Sequence, residues 1–279
     1  MTAAHVETTE ISDRGDCPFL PAAFSRRVTK FFERYSIRKI RRSFHTVHVD
    51  PTSIQTIEKI QQQTQPSIIL MNHPSWWDPL TIMLIAGLYL RNRVHCAPMD
   101  IVQLRRYRIF RKIGAFGIDP EHPQTPAKMN TYIEEVVAQH PNALLWITPQ
   151  GQFTDVRDAV NLRPGAAALA AKHTKASVFC VGVEYNYWQD QKAELFLRFQ
   201  TCNTDDRSTS GWFRAMRQAM SENLDTLSQL VIKRDPSNFL QPLGSGRSRT
   251  SRVYDLMLRL RGQEGEIQTR PSSQKRSKK

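Results

Sequence analysis

The sequence has few of the features that mark a secreted or membrane-spanning protein. Its four cysteines are Cys17, Cys96, Cys180 and Cys202. They form no C-x-x-C pair and no disulfide-like spacing, which is typical of a reducing compartment. Residues Met1–Asp16 lack the apolar core of a signal peptide. The longest apolar stretch, Pro79–Leu90, is about half of the roughly 20 residues that a membrane-spanning helix needs. We therefore expect a cytoplasmic protein that does not cross a membrane.

Acidic residues are also scarce relative to basic ones. The 279 residues contain 39 Lys and Arg against 26 Asp and Glu, which gives a formal net charge of +13. This excess favours an anionic partner, such as nucleic acid, anionic lipid headgroups, or an acidic carrier or coenzyme. The hydrophobic share of 40% is ordinary for a globular protein, so the chain is long enough and apolar enough to bury a core.

Much of the positive charge lies in one segment near the start of the chain. Between Pro21 and Phe44, aromatic and aliphatic residues recur at helical spacing, and eight Lys or Arg residues fill the gaps with Glu33 as the single acid. This pattern predicts a basic amphipathic helix within a membrane-surface segment, residues 21–50. The alternative, compatible with it, is a helix packed on the domain with a solvated basic face.

The middle of the chain alternates between strand and helix patterns. Short apolar runs such as Ser67–Met71, Ala115–Ile118 and Ala143–Thr148 predict strands, and Ile101–Lys112, Thr125–His140 and Ser210–Ile232 predict helices. We expect an α/β domain at residues 51–234, with a central mixed, mostly parallel sheet covered by helices on both faces. The rest is predicted as a flexible lead (residues 1–20), and as a linker, a short basic helix (Arg252–Leu260) and a disordered basic tail (residues 235–279).

One histidine stands where α/β sheets place functional groups. His73 directly follows the predicted strand Ser67–Met71, at the carboxyl end of that strand. With His73 in a loop and Asp78 at a helix start, the carboxylate can fold back onto the imidazole, orient it and leave its other nitrogen as a base. Two other interpretations remain open at this point. Asp78 and Pro79 also suit a helix N-terminus, and His73 could be a buried, hydrogen-bonded histidine.

Four motifs in order resemble those of the glycerolipid (lysophospholipid) acyltransferase family. NHPSWWD at 72–78 resembles the Asn-His-x-Ser-x-x-Asp motif, and GAFGIDP at 114–120 the Gly-x-x-Phe-Ile-Asp-Arg block. TPQGQ at 148–152 is similar to the Phe-Pro-Glu-Gly-Thr-Arg block, and RPGAAALA at 163–170 to the Lys-x-Gly helix start. Their order and spacing match the family over roughly residues 65–185.

The resemblance implies an O-acyltransferase on the inner face of a membrane. His73 would deprotonate a lipid hydroxyl and Asp78 would orient the base, with acyl-CoA or an acyl carrier protein as co-substrate. No metal, cofactor, covalent intermediate or nucleic acid is implied, and the Gly151 amide is a candidate donor to the thioester oxyanion. The substrate-binding residues that it implies are Asn72, Ser75, Trp76, Gln150, Gly151, Gln152 and Arg163. Trp76 and Trp77 would form an apolar wall beside the base or pack in the core.

Three positions depart from the family pattern. Gln150 and Gln152 replace a glutamate and an arginine, and Pro120 replaces the arginine that closes the second block. In the family, these arginines are implicated in holding an acceptor phosphate, which a glutamine cannot neutralise. We therefore expect an acceptor other than lysophosphatidic acid, such as a glycosylated lipid, unless Arg157 or Arg163 substitutes.

Two other function classes compete with an active enzyme. The basic ends favour a lipid- or nucleic-acid-binding protein, although no nucleic-acid motif is visible. A family member that binds lipid without turnover would also explain the departures. His45 and His48 have a spacing found in some metal sites, but no Cys, Asp or Glu partner is evident, so no metal site is predicted.

Overall fold

The sequence folds around a central β-sheet, and a computed structural model describes residues 17–243. The strands are β1 (Phe19–Leu20), β2 (Val47–Val49), β3 (Ser67–Met71), β4 (His95–Asp100), β5 (Ala115–Ile118), β6 (Leu144–Ile147), β7 (Ser177–Asn186), β8 (Glu194–Cys202) and β9 (Leu240–Leu243). The helices are α1 (Arg26–Ser43), α2 (Ser53–Gln62), α3 (Asp78–Leu88), α4 (Ile101–Arg106), α5 (Thr125–Gln139), α6 (Gly165–Lys172) and α7 (Thr209–Ile232). Short 3-10 turns cover Arg108–Ile113 and Pro236–Asn238.

The sheet has the mixed, mostly parallel character that the sequence predicts. Within residues 17–243 its nine strands follow the order β1-β5-β4-β6-β3-β7-β8-β2-β9. The five neighbours β5, β4, β6, β3 and β7 pair in parallel, and so do β8 and β2. The antiparallel pairs are β1 with β5, β7 with β8, and β2 with β9. The central strand β3 is buried along its whole length, as expected for a parallel strand covered on both faces.

Helices cover both faces of the sheet, which also confirms the prediction. Along β3, Ile68 and Leu70 face a cluster that includes side chains of α5, α6 and α7. The alternate residues, Ile69 and Met71, face a second cluster that includes side chains of α1, α2 and α3. The period of two along the strand therefore divides one apolar run between two cores.

Helix α1 is packed on the domain. It buries Ser36 and Ile40 and lies against α3, where a Cβ on Gly87 would stand 3.1 Å from the Cβ of Glu33. Burial raises the pKa of Glu33 against the opposing effect of neighbouring cations. All eight basic side chains of the predicted segment are exposed, as are Phe31 (62%) and Tyr35 (43%). Across residues 17–243, every helix is too short or too polar to reach across a bilayer.

Short elements at the sheet edges differ from the predicted domain boundaries. β1 lies within the predicted lead, β2 within the predicted membrane-surface segment and β9 within the predicted linker, yet each pairs in the sheet. These strands have two to four residues, so pairing with distant strands, and not local pattern, determines them. Helix α2 was not expected either. Residues 1–16 and the predicted helix Arg252–Leu260 with its tail lie outside the described residues.

The predicted basic helix Ile101–Lys112 is two elements. Asp100 caps α4 by accepting the amide of Gln103 at 2.9 Å. The helix then breaks at Tyr107, whose φ of −112° and ψ of 57° are not helical, and continues as the 3-10 turn. Like charges three or four residues apart on a helix repel one another, and this segment holds five cations in eight residues, which weakens a continuous helix.

Candidate active site

His73 lies at the carboxyl edge of the parallel strands. It follows β3 by two residues, and β3 is flanked on both sides by parallel strands, β6 and β7. The loop after β6 therefore meets the loop that carries His73 at the same edge of the sheet. This crevice beyond the strand ends is where α/β sheets bind ligands.

The imidazole of His73 is bonded to Asp78. His73 Nδ1 lies 2.6 Å from Asp78 Oδ2, and the side chains are 22% and 1% exposed. Asp78 Oδ2 also accepts the amide of Ser75 at 3.1 Å, and Asp78 Oδ1 accepts the hydroxyl of Tyr185 at 2.8 Å. Burial, followed by the charge of Asp78, raises the pKa of Tyr185, so its hydroxyl stays protonated as a donor. A carboxylate that accepts at Nδ1 fixes the tautomer whose Nε2 is a free base.

The position of Asp78 also bears on its competing role as a helix cap. Helix α3 begins at Asp78 itself, the cap position is Trp77 and Pro79 lies in the first turn. The Trp77 side chain makes no capping bond, and the Asp78 carboxylate binds His73, Ser75 and Tyr185. Asp78 is thus a hydrogen-bonding partner of the imidazole more than a cap.

Two loops are tied together around the backbone of His73. Gln150 Oε1 accepts the His73 amide at 2.8 Å, and Gln150 Nε2 donates to the hydroxyl of Thr154. The Thr154 amide donates to the His73 carbonyl at 3.0 Å. Gln150 therefore positions the loop that carries His73, and its contact with substrate stays a prediction.

Asn72 has a comparable anchoring role. Its side chain is 2% exposed, donates to the carbonyl of Val183 at 2.8 Å and accepts the amide of Val183 at 2.7 Å. Both amide groups are therefore satisfied by β7, so Asn72 fixes the loop to the sheet and is not exposed to a substrate. Ser75, also predicted to bind substrate, builds the turn: its amide binds Asp78 and its hydroxyl oxygen accepts the Trp77 amide at 3.3 Å.

Aromatic side chains form the rim of the crevice. The Phe153 ring centroid lies 4.3 Å from that of His73, and Phe153 is 56% exposed. Trp76 is 68% exposed, whereas Trp77 packs inward with its ring centroid 4.9 Å from that of Phe44. The sequence left two roles open for both tryptophans, an apolar wall beside the base or packing in the core. In the structure Trp76 is available to an apolar ligand, and Trp77 belongs to the core.

Gly151 occupies a turn whose backbone conformation favours glycine. Its φ is +72°, and a Cβ there would lie 2.7 Å from Arg163 Nε. The Gly151 amide donates to the Thr148 carbonyl at 3.1 Å, so it is engaged in its own turn and not turned toward an oxyanion as predicted. The Arg163 amide donates to the Pro149 carbonyl at 2.7 Å, which places the Arg163 side chain against this turn.

Two cations of the segment after β6, Arg157 and Arg163, are paired with carboxylates. Arg163 Nη1 lies 3.0 Å from Glu121 Oε1, next to the proline that replaces the family arginine. Arg157 makes two bonds to Asp155, Nε to Oδ1 at 2.7 Å and Nη2 to Oδ2 at 2.6 Å. Gln152 is exposed in the same loop.

The histidines outside this site have acidic partners that the local sequence did not reveal. His45 Nδ1 lies 3.4 Å from Asp190 Oδ2, and His48 Nε2 binds Glu194. Both acids come from the region of the β7–β8 hairpin, more than a hundred residues further along the chain. Among residues 17–243, no group of three or more His, Cys, Asp or Glu side chains is arranged to hold a metal ion.

Three residues of this site escaped prediction from the sequence. Tyr185 and Thr154 look like ordinary strand and loop residues, and their roles depend on contacts that form only in the fold. Phe153 gave a weak signal, since it is a large aromatic residue directly after the TPQGQ motif.

Part of the chain, including the site, matches a known protein family. The chain is similar to the crystal structure of the 1-acyl-sn-glycerophosphate (LPA) acyltransferase from Thermotoga maritima, with 15% identity, a TM-score of 0.47, and coverage of 74% of this chain and 79% of that chain. Comparison with curated proteins gave no significant match. The family model described as Acyltransferase matches residues 51–184. The matched residues include His73, Asp78 and Gln150.

Proposed function

We propose that this chain transfers a fatty acyl group from an acyl thioester to a hydroxyl of a lipid at a membrane surface. The observation that carries the proposal is the His73–Asp78 pair, anchored by β7 and by the loop after β6, inside the region that matches the acyltransferase family model. The thioester donor is acyl-CoA or an acyl carrier protein, and its anionic carrier suits a chain of net charge +13.

The chemistry follows from the free nitrogen of His73. Nε2 takes the proton of the acceptor hydroxyl while its oxygen attacks the thioester carbonyl, and the C–S bond breaks as the ester forms. The thiolate that leaves takes the proton from the imidazolium. Asp78 stabilises the imidazolium through Nδ1, and because it is buried its charge is poorly screened by solvent. Transfer is direct, without an acyl-enzyme intermediate.

The acceptor in this proposal is a hydroxylated lipid other than lysophosphatidic acid. Gln152 and Pro120 stand where the family has arginines, and both are exposed at the crevice loops. An amide can hydrogen-bond sugar hydroxyls but cannot neutralise a phosphate. A glycosylated lipid fits such a lining.

The membrane-surface part of the proposal rests on α1 and the segment beside it. Exposed Phe31 and Tyr35 stand among the exposed cations of α1. The backbone joins this helix to the 3-10 turn, since the Ser25 amide donates to the Lys112 carbonyl at 2.9 Å. The turn and α4 add the exposed apolar residues Val102 (67%) and Ile109 (41%).

Together these elements present cations and apolar side chains on adjoining surfaces. Such a combination binds the anionic headgroups and the acyl boundary of a bilayer. We propose that the protein sits peripherally on the cytoplasmic face of the membrane, where anionic lipids are abundant.

The decisive test of the reaction is thioester consumption by purified protein with a panel of hydroxylated lipids. His73→Ala should lower turnover about 10²- to 10⁴-fold, the usual contribution of a positioned base. His140→Ala is the matched control, because His140 precedes β6 and lies at the opposite edge of the sheet. Equal turnover in wild type and His73→Ala would refute the assignment of the base.

Vesicle sedimentation tests the membrane proposal separately. The protein should bind phosphatidylglycerol vesicles more than phosphatidylcholine vesicles, with an affinity that falls as salt increases. Replacing Phe31 and Tyr35 with serine should weaken binding without changing the unfolding midpoint. Binding without turnover on any acceptor would favour the alternative, a lipid-binding protein of the same fold. Preference for DNA over vesicles at equal salt would contradict both.

A further inference from the structure

Two arginines next to the catalytic loops each form an ion pair with a carboxylate of the same chain. Arg163 packs on the turn at Gly151, and Gln150, the preceding residue, holds the His73 amide. Its guanidinium is bonded to Glu121, and both side chains are exposed, at 52% and 78%. This ion pair bridges the loop after β5 and the loop after β6, close to the backbone of the base.

The second arginine is more fully occupied. Arg157 binds Asp155 with two guanidinium nitrogens, and the Arg157 amide donates to the same carboxylate at 3.0 Å. These bonds hold the pKa of Asp155 well below its usual range, so the carboxylate stays charged. Asp158 and the buried Glu184 add further negative charge near Arg157.

We propose that Glu121 and Asp155 are internal counter-charges that make the acceptor site select a neutral, hydroxyl-rich headgroup and reject a phosphomonoester. This deepens the proposed function and rests on it. Arg157 and Arg163 are the cations that would otherwise replace the arginines absent at Gln152 and Pro120. With each guanidinium matched by a carboxylate, the loops have no excess positive charge for a phosphate.

A phosphate that binds at these loops would lie close to the carboxylates paired with the two arginines. A phosphomonoester carries nearly two negative charges and three strong acceptor oxygens. To bind Arg163 it must displace Glu121 or lie beside it, and like charges repel. An uncharged sugar or glycerol headgroup instead gains hydrogen bonds from the exposed amide of Gln152 and leaves both ion pairs in place.

Two acceptors that differ only by a phosphate test the proposal. We would measure kcat/KM for monoacylglycerol and for lysophosphatidic acid of the same acyl chain, at one ionic strength. Wild type should prefer monoacylglycerol. In the double variant Glu121→Gln, Asp155→Asn, the ratio should shift toward lysophosphatidic acid by about tenfold, the effect of one well-formed charged contact.

Two further variants make the result specific. The control double variant Glu58→Gln, Asp225→Asn removes the same two negative charges at exposed positions of α2 and α7 and should leave the ratio unchanged. Adding Arg157→Gln and Arg163→Gln to the double variant should abolish the shift, since the two freed guanidiniums are its cause. Unfolding midpoints of all variants, followed by circular dichroism, establish that each is folded.

Each outcome distinguishes this proposal from the proposed function. If wild type uses lysophosphatidic acid as well as monoacylglycerol, or if the double variant keeps the wild-type ratio, the counter-charge proposal is wrong while the acyltransferase survives. If no acceptor is turned over by any protein, calorimetric titration with glycerol 3-phosphate decides: binding tightened about tenfold in the double variant supports the counter-charges, and equal binding overturns them.

Discussion

Replacing Asp78 with asparagine removes one charge from the site and keeps its shape. The asparagine oxygen can accept from His73 Nδ1 and the Ser75 amide, as Oδ2 does now. Its NH₂ group then faces the Tyr185 hydroxyl, which can reverse its role by donating to Thr81 Oγ1 at 2.9 Å. We therefore expect Asp78→Asn to fold, so that its defect reports the lost charge.

The size of the defect follows from the distance between the charges. His73 Nδ1 and Asp78 Oδ2 are 2.6 Å apart, and the centres of the imidazolium and carboxylate charges are separated by about 4 Å. At an effective dielectric of about 20, this separation corresponds to about 4 kcal/mol of stabilisation for the imidazolium. At 1.36 kcal/mol per factor of ten, kcat should fall by about a thousandfold. The acceptor KM should change little, because Asp78 is buried beneath His73.

The assay is release of free thiol from an acyl thioester at saturating neutral acceptor. Asp225→Asn, an exposed substitution of the same kind on α7, is the control and should retain full activity. Thermal unfolding of each protein establishes that the variants are folded. A folded Asp78→Asn protein that keeps kcat within tenfold of wild type would show that Asp78 does not stabilise the imidazolium.

Three other perturbations address the surroundings of the site. Tyr185→Phe removes one hydrogen bond from the buried Asp78 carboxylate and should lower the free energy of unfolding in urea by about 2 kcal/mol. Its kcat should fall less than that of Asp78→Asn. An unchanged free energy of unfolding would contradict this prediction. Gln150→Ala should lower kcat about tenfold by freeing the His73 amide, while Gln150→Glu, which still accepts that amide, should stay near wild type. Burial lowers the pKa of His95 to about 4, whereas the same side chain in the unfolded chain takes up a proton near pH 6.5. The free energy of unfolding should therefore fall by up to about 3 kcal/mol as the pH is lowered from 6.5 to 4. His95→Gln should flatten that dependence; parallel curves would show that another group causes it.

The interior strands could be predicted from the sequence because the apolar runs that indicate them are local. The apolar runs of β3 and β5 were predicted at the residues where the strands lie, since a buried parallel strand is a short continuous hydrophobic run. Strands β2 and β9 were not predicted, because their sequences, VHV and LQPL, contain no continuous apolar run and the strands form through distant partners.

The site shows the same division between local and distant contacts. His73 and Asp78 are five residues apart, so their pairing could be inferred from one loop. The residues that hold this pair come from far along the chain: Tyr185 lies 107 residues beyond Asp78, and Gln150 lies 77 beyond His73. The motifs therefore indicated which residues gather at the crevice, but not which of them support the base and which remain open to a ligand.

The anchoring of His73 has a consequence for selectivity between transfer and hydrolysis. Its main chain and its ring are fixed by protein groups alone, so the base is ready before an acceptor arrives. A base assembled in advance abstracts a proton from water as readily as from an alcohol that reaches the same point. Selection of a lipid acceptor over water must then come from the aromatic rim of Trp76 and Phe153, because a lipid can pack on these exposed side chains and water cannot. We therefore expect the protein to hydrolyse acyl thioesters slowly when no bilayer is present.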